Sequence, residues 1–158
     1  MCEIRDAKCE VRTIMRTRRF ARELIIQGLY QFDIAKAPKE EVLDFLISQI
    51  KQDNQEICDF IRDDFFGVIE HLNFIDELIR KKSKNWNFGR INKVDKSILR
   101  MAIYELFFRA DIPDSVTINE AIEIAKKYST ADSSKFVNGI LGAIARDEKV
   151  SKEPGTGD

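Results

Sequence analysis

The chain has 158 residues, of which 44% are hydrophobic and 34% charged, and its net charge is −1. That length fits one domain able to bury its own core, and that composition excludes an intrinsically disordered polymer. No apolar stretch approaches the ~18 residues of a membrane span, the charged N-terminal segment lacks the apolar centre of a secretory leader, and three cysteines without paired spacing exclude a disulfide scaffold, so a reducing cytoplasm is expected.

In chain order, residues 1–14 are expected to form a mobile N-terminal extension, with Met15 as the alternative start. Arg16, Arg18, Arg19 and Arg22 follow, with no acidic residue between Val11 and Arg22. Guanidinium groups pair bidentately with phosphate and stack on bases, so this cluster points to nucleic acid. A solvated basic terminus is the competing reading. Helical periodicity begins at about Thr17 and runs to Ile34, with Phe20, Leu24, Gly28 and Phe32 recurring beside Ala21, Ile25 and Leu29. Pro38 opens a second helix that buries Val42, Leu43, Leu46, Ile47 and Ile50.

Asn54 caps a third, with Ile57, Ile61, Phe65, Val68 and Leu72 inward; Asn73 and Asp76 leave open whether it restarts there. Asp63-Asp64 and Asp76-Glu77 read as solvated surface, and His71 as a helix-surface or satisfied core residue. Lys81–Arg90 is a basic linker. The next helix spans about Asn92 to Arg109. Thr117-Ile118-Asn119-Glu120 has the form of a capping box, which predicts a helix from Ile118 to about Tyr128. Asp132 or Ser133 is expected to cap the last helix, which buries Phe136, Val137, Ile140, Leu141 and Ile144. Residues 150–158 carry Pro154, Gly155 and Gly157 and are expected to be disordered, leaving 15–149 as one helical domain.

About seven helices with short connections predict an all-α fold, with the linker dividing two sub-bundles. Charge is unevenly spread. Residues 39–80 hold eleven acidic and four basic side chains, whereas residues 81–109 hold eight basic and two acidic, which suggests an acidic and a basic face. No serine nucleophile elbow, cysteine–histidine pair or glycine-rich phosphate loop appears, so an enzyme is not expected, nor a cofactor or metal.

The second half carries an ordered series: Leu99-Arg100-Met101-Ala102-Ile103-Tyr104-Glu105-Leu106, Val116-Thr117-Ile118-Asn119-Glu120-Ala121, Ile124-Ala125-Lys126, and Lys135-Phe136-Val137-Asn138-Gly139-Ile140-Leu141. With Arg18-Arg19-Phe20-Ala21-Arg22-Glu23, Gly28-Leu29-Tyr30-Gln31, Trp86, Arg90 and Val94-Asp95, it resembles the NusB family of transcription antitermination factors over about Met15 to Arg146. The resemblance implies two perpendicular three-helix bundles and a non-enzymatic, RNA-binding role in ribosomal RNA transcription. It also implies binding of the boxA element together with a small-subunit ribosomal protein, NusE, in a complex on RNA polymerase.

On that basis Arg16, Arg18, Arg19 and Arg22 are expected to contact single-stranded RNA. Lys135 and Phe136, in the first turn of the last helix, join them, and the charge of Asp132 is expected to regulate affinity. Asn138 is assigned a hydrogen bond to a neighbouring loop and Gly139 room for close helix approach. Tyr30, Trp86, Arg90 and Asp95 are candidates for the ribosomal-protein surface, with Trp86 equally readable as a seal between bundles. Tyr104 and Glu105 are expected to hold helices together through Asn119. Two further readings stay open: an RNA-targeting domain related to those of ribosomal RNA methyltransferases, and a helical protein–protein module. Homodimerisation is a further possibility.

Overall fold

The computed structural model describes residues 7–50, 54–83 and 87–148, with side chains of the first helix from Thr17 onward. The expected tail at 150–158, Trp86 and the side chain of Arg16 lie outside the described residues. Seven α-helices and one 3-10 turn make up the described part, without a strand: α1 Ala7–Ala35, α2 Lys39–Ser48, α3 Gln55–Glu70, α4 Leu72–Lys82, the turn Phe88–Arg90, α5 Lys93–Phe108, α6 Asp114–Tyr128 and α7 Ala131–Asp147.

The first helix starts ten residues before the periodicity predicted, so helix enters the expected leader. It ends where Lys36 adopts a left-handed φ of 56° ahead of Pro38, which cannot continue a helix. Pro38 then stands just before α2, and Asn54 Oδ1 accepts from Ile57 N at 3.2 Å to open α3, as its sequence position predicts. The open question at residue 73 is resolved two positions earlier. His71, at φ −106° and ψ 20°, breaks the helix and α4 begins at once.

α1, α2 and α3 pack mutually, and α5, α6 and α7 do the same, with α4 joining the second group. The long α1 and α5 lie against each other and join the halves. Within the first half, Gly28 lets α1 sit close to α2 and α3: a Cβ there would push aside the Leu46 side chain and press on the Phe65 ring. The core is one continuous cluster from Ala21 through Phe65 and Ile103 to Ile144.

Two helix starts differ from expectation. α6 begins at Asp114 after Pro113, not at Ile118, so Thr117 does not cap it. Thr117 is buried, and Glu120, its supposed reciprocal partner, is drawn to Arg19 instead. α7 is capped by Thr130, whose Oγ1 accepts from Ser133 N at 3.1 Å; Asp132 sits exposed in the first turn. Gly139 also differs, because a Cβ there would meet open space.

The acidic pairs are the larger correction. Asp64 and Asp76 are buried, not solvated. Arg109 Nη1 donates to Asp64 at 2.8 Å, and Arg100 holds Asp76 through Nε and Nη2, both at 2.9 Å. Thus basic residues of 81–109 neutralise acidic ones of 39–80 across the fold, and part of the charge asymmetry along the chain disappears in space. Arg100 also lies 3.7 Å from Asp33 of α1, so one guanidinium ties three helices.

Candidate nucleic-acid interface

α1 positions the arginines through its 3.6-residue turn. Arg22 falls three residues before Ile25 and seven before Leu29, on the buried stripe. It is 2% exposed. Its Nε and Nη2 donate to Glu105 at 2.7 to 3.2 Å, a bidentate pair inside the junction of the two halves. Its expected contact with RNA is therefore corrected: the guanidinium is committed to the core. Glu105 holds helices together as expected, through Arg22 of α1. Asn119 is exposed.

Arg18 and Arg19 stand at the edge of the same junction. Arg19 donates Nε and Nη2 to Glu120 at 2.7 and 2.9 Å, yet its side chain stays 44% exposed. Hydrogen bonding to Glu120 raises its already high pKa, so the charge is permanent. Arg18 is held loosely, 4.0 Å from Glu56 and 3.9 Å from Asp111. Its guanidinium lies 5.2 Å from the Phe60 ring, which Arg22 and Arg109 also approach, at 5.4 and 4.8 Å. A ring face attracts cations, so Phe60 gathers three arginines at the root of the arm.

Beneath them lies Asp64, with no exposed surface and with Oδ2 lacking a hydrogen-bond partner. Burial, then repulsion from Glu105, pushes its pKa well up, against the pull of Arg109 and Arg22. Asp111 shows the reverse: the hydrogen bond from Arg109 holds its carboxyl below the usual range.

A cleft of about 220 Å³ opens between the start of α5 and the start of α7, lined by Arg90, Ile91, Asn92, Asp132, Ser133 and Phe136 together with Asp95. Phe136 is half-buried at its rim, and Lys135 is exposed on the same turn. The structure thus brings Arg90 and Asp95, expected to face a protein, beside Asp132 and Phe136, expected to face RNA.

Asp95, however, is buried. Its Oδ1 accepts from Ser129 Oγ at 3.0 Å and its Oδ2 from Ser133 Oγ at 2.8 Å. Both oxygens serve the α6–α7 turn, so Asp95 fixes the entry to α7 and does not offer its carboxylate to a partner. This role escaped the sequence, where Ser129 and Ser133 carry no signal linking them to a residue more than thirty positions earlier.

Tyr30 lies elsewhere. It is 39% exposed and lines a more apolar groove of about 320 Å³ with Phe20, Leu24, Val94, Ile124 and Tyr128. Val94 lines this groove and Asp95 the cleft, so the first turn of α5 is a shared wall. Phe20 was expected on the apolar stripe of α1 and Tyr128 only at a helix end, yet both are exposed aromatics at the groove. No cluster of three or more histidine, cysteine or carboxylate side chains suited to a metal occurs among the described residues. No described helix is long and apolar enough to cross a membrane.

An all-helical scaffold whose surface presents cations, a half-buried ring and two clefts defines a binding protein. Comparison with known proteins gives the family. The NusB family model matches residues 19–146. The transcription antitermination protein NusB of Geobacter sulfurreducens is 49% identical over 131 residues, covering 83% of this chain and 95% of that protein. That of Thermoanaerobacter sp. is 44% identical over 128 residues, 81% and 89% of the two chains. Among solved structures, T. maritima NusB matches with a TM-score of 0.76 at 39% identity, covering 82% of this chain and 91% of that one. A complex of the antitermination factors NusB and NusE with double-stranded RNA matches with a TM-score of 0.75 at 25% identity, covering 83% and 97%. The chain belongs to the NusB family of transcription antitermination factors, RNA-binding regulators and not enzymes.

Proposed function

We propose that this chain binds the boxA element of ribosomal RNA transcripts jointly with the ribosomal protein NusE, as part of an antitermination complex on RNA polymerase. The observation that carries the reading is the contiguity of the two candidate surfaces at the first turn of α5, with Arg90, Asp132 and Phe136 in one cleft and Tyr30 in the groove behind its wall. Two ligands meeting at one wall gain effective concentration from each other.

In this reading Arg18, Arg19 and Lys135 hold phosphates, Phe136 stacks a base at the cleft rim, and Arg16 extends the same arm. Tyr30 with Phe20 and Tyr128 receives NusE, and Arg90 bridges the two ligands. A solved NusB–NusE–RNA complex of the same fold supports the pairing of ligands. The test is anisotropy of labelled boxA RNA with and without NusE across a salt series. NusE should tighten binding. Three phosphate contacts from Arg18, Arg19 and Lys135 give a slope of log K against log salt of about −2, at roughly −0.7 each on single strands. A slope near zero, or no effect of NusE, overturns the reading.

A further inference from the structure

We infer that the aromatic face where α3, α4 and α5 meet docks a basic peptide segment of a protein partner. It lies outside both clefts and does not depend on the RNA reading. The His71 ring stacks on Phe108 with centroids 4.1 Å apart and planes 15° from parallel. Phe74 meets Phe107 edge-on at 5.3 Å. Phe74 is 44% exposed and Phe108 41%, so rings from α4, from α5 and from His71 at the α3–α4 junction form one surface that water still reaches. Single exposed apolar side chains are ordinary; a contiguous set of stacked rings marks a binding surface.

Charge identifies the occupant. Glu56, Asp59, Asp63 and Glu70 are all exposed and follow one another at spacings that keep them on one side of α3. Arg62, the sole cation of that helix, is turned back on Asp59 at 3.2 Å. The acidic stripe reaches the rings: Glu70 ends α3 and directly precedes His71, whose ring stacks on Phe108, and Tyr104 of α5 stacks 5.2 Å from Phe108.

Nucleic acid does not fit, because its phosphates would meet these carboxylates. A second copy of the chain fits poorly, because a two-fold axis would set one acidic stripe against the other. An arginine- or lysine-bearing segment satisfies both features. Its cations pair with Asp63 and Glu70 or lie over ring faces, and an apolar side chain between them covers Phe74 and Phe108.

The test titrates a labelled helical peptide of arginines and leucines into the intact chain, against a control with glutamates for the arginines, while backbone amide shifts are recorded. The basic peptide should bind and the acidic one should not, with shifts confined to residues 59–74 and 104–108. Affinity should fall about tenfold in Phe108→Ser, and by a similar factor in the Asp63→Asn, Glu70→Gln pair, which substitutes only exposed polar groups and keeps the fold testable. Arg19→Ala should leave it unchanged. Equal binding of both peptides, shifts centred on α1 or α7, indifference to the paired variant, or a dimer by light scattering that Phe108→Ser dissolves would each overturn the inference.

Discussion

Replacing Arg22 by alanine separates an arginine of the core from an arginine of the arm. The side chain is fully enclosed and makes three hydrogen bonds to Glu105. Removing it leaves Glu105, itself with no exposed surface, beside the buried Asp64, with Arg109 still acting on both carboxylates. Breaking a buried ion pair in this way costs about 3–5 kcal/mol, which for a domain of this size lowers Tm by roughly 10–15 °C. Substituting both partners by apolar residues of similar volume, Arg22→Met with Glu105→Leu, removes the stranded charge and should recover most of that loss. Thermal and urea unfolding followed by circular dichroism measures both variants, and boxA affinity is read at a temperature where each is folded. Arg22→Ala should be strongly destabilised, and the double variant should bind RNA nearly as the wild type. An Arg22→Ala protein of unchanged stability with a specific loss of RNA affinity would refute the assignment.

Asp132→Asn should tighten RNA binding several-fold, since Thr130 holds the cap and the change removes a negative charge beside the cleft, at a stability cost of about 0.3–1 kcal/mol from the helix dipole; anisotropy and a melting curve check both. Asp64 gives a pH signature. Its pKa is higher folded than unfolded, so its protonated form favours the fold: the contribution is complete below the ordinary carboxylate range and is lost as pH rises through the elevated folded value. Unfolding free energies across that window should therefore fall more steeply with rising pH in the wild type than in Asp64→Asn. Gly67→Ala should destabilise by about 1–3 kcal/mol, because the Tyr104 ring rests on the bare Cα and must move; a urea midpoint shift at constant m-value reports it.

Much of the fold is legible in the letters because helix formation is local. The apolar stripes of α1, α3 and α7, the Asn54 cap and the stop at Lys36–Pro38 each follow from residues within a few positions of one another. The capping-box reading of Thr117 and Glu120 failed for the opposite reason. A motif of local form lost its glutamate to Arg19, which is 101 residues away in the chain.

The candidate site divides along the same line. That arginines gather in α1 is plain from sequence, but Arg22, expected to face RNA with the others, falls on the apolar stripe. Which of them remain available was settled by packing, through carboxylates 83 and 101 residues distant. The assignments of Asp64, Asp76 and Asp95 were likewise decided by partners on other helices. Period and capping act over one or two turns of chain, so sequence alone determined an all-helical chain of about seven amphipathic helices with arginines clustered in the first. Neutralisation of a buried charge depends on whichever helix packs opposite, and only the tertiary structure decides that.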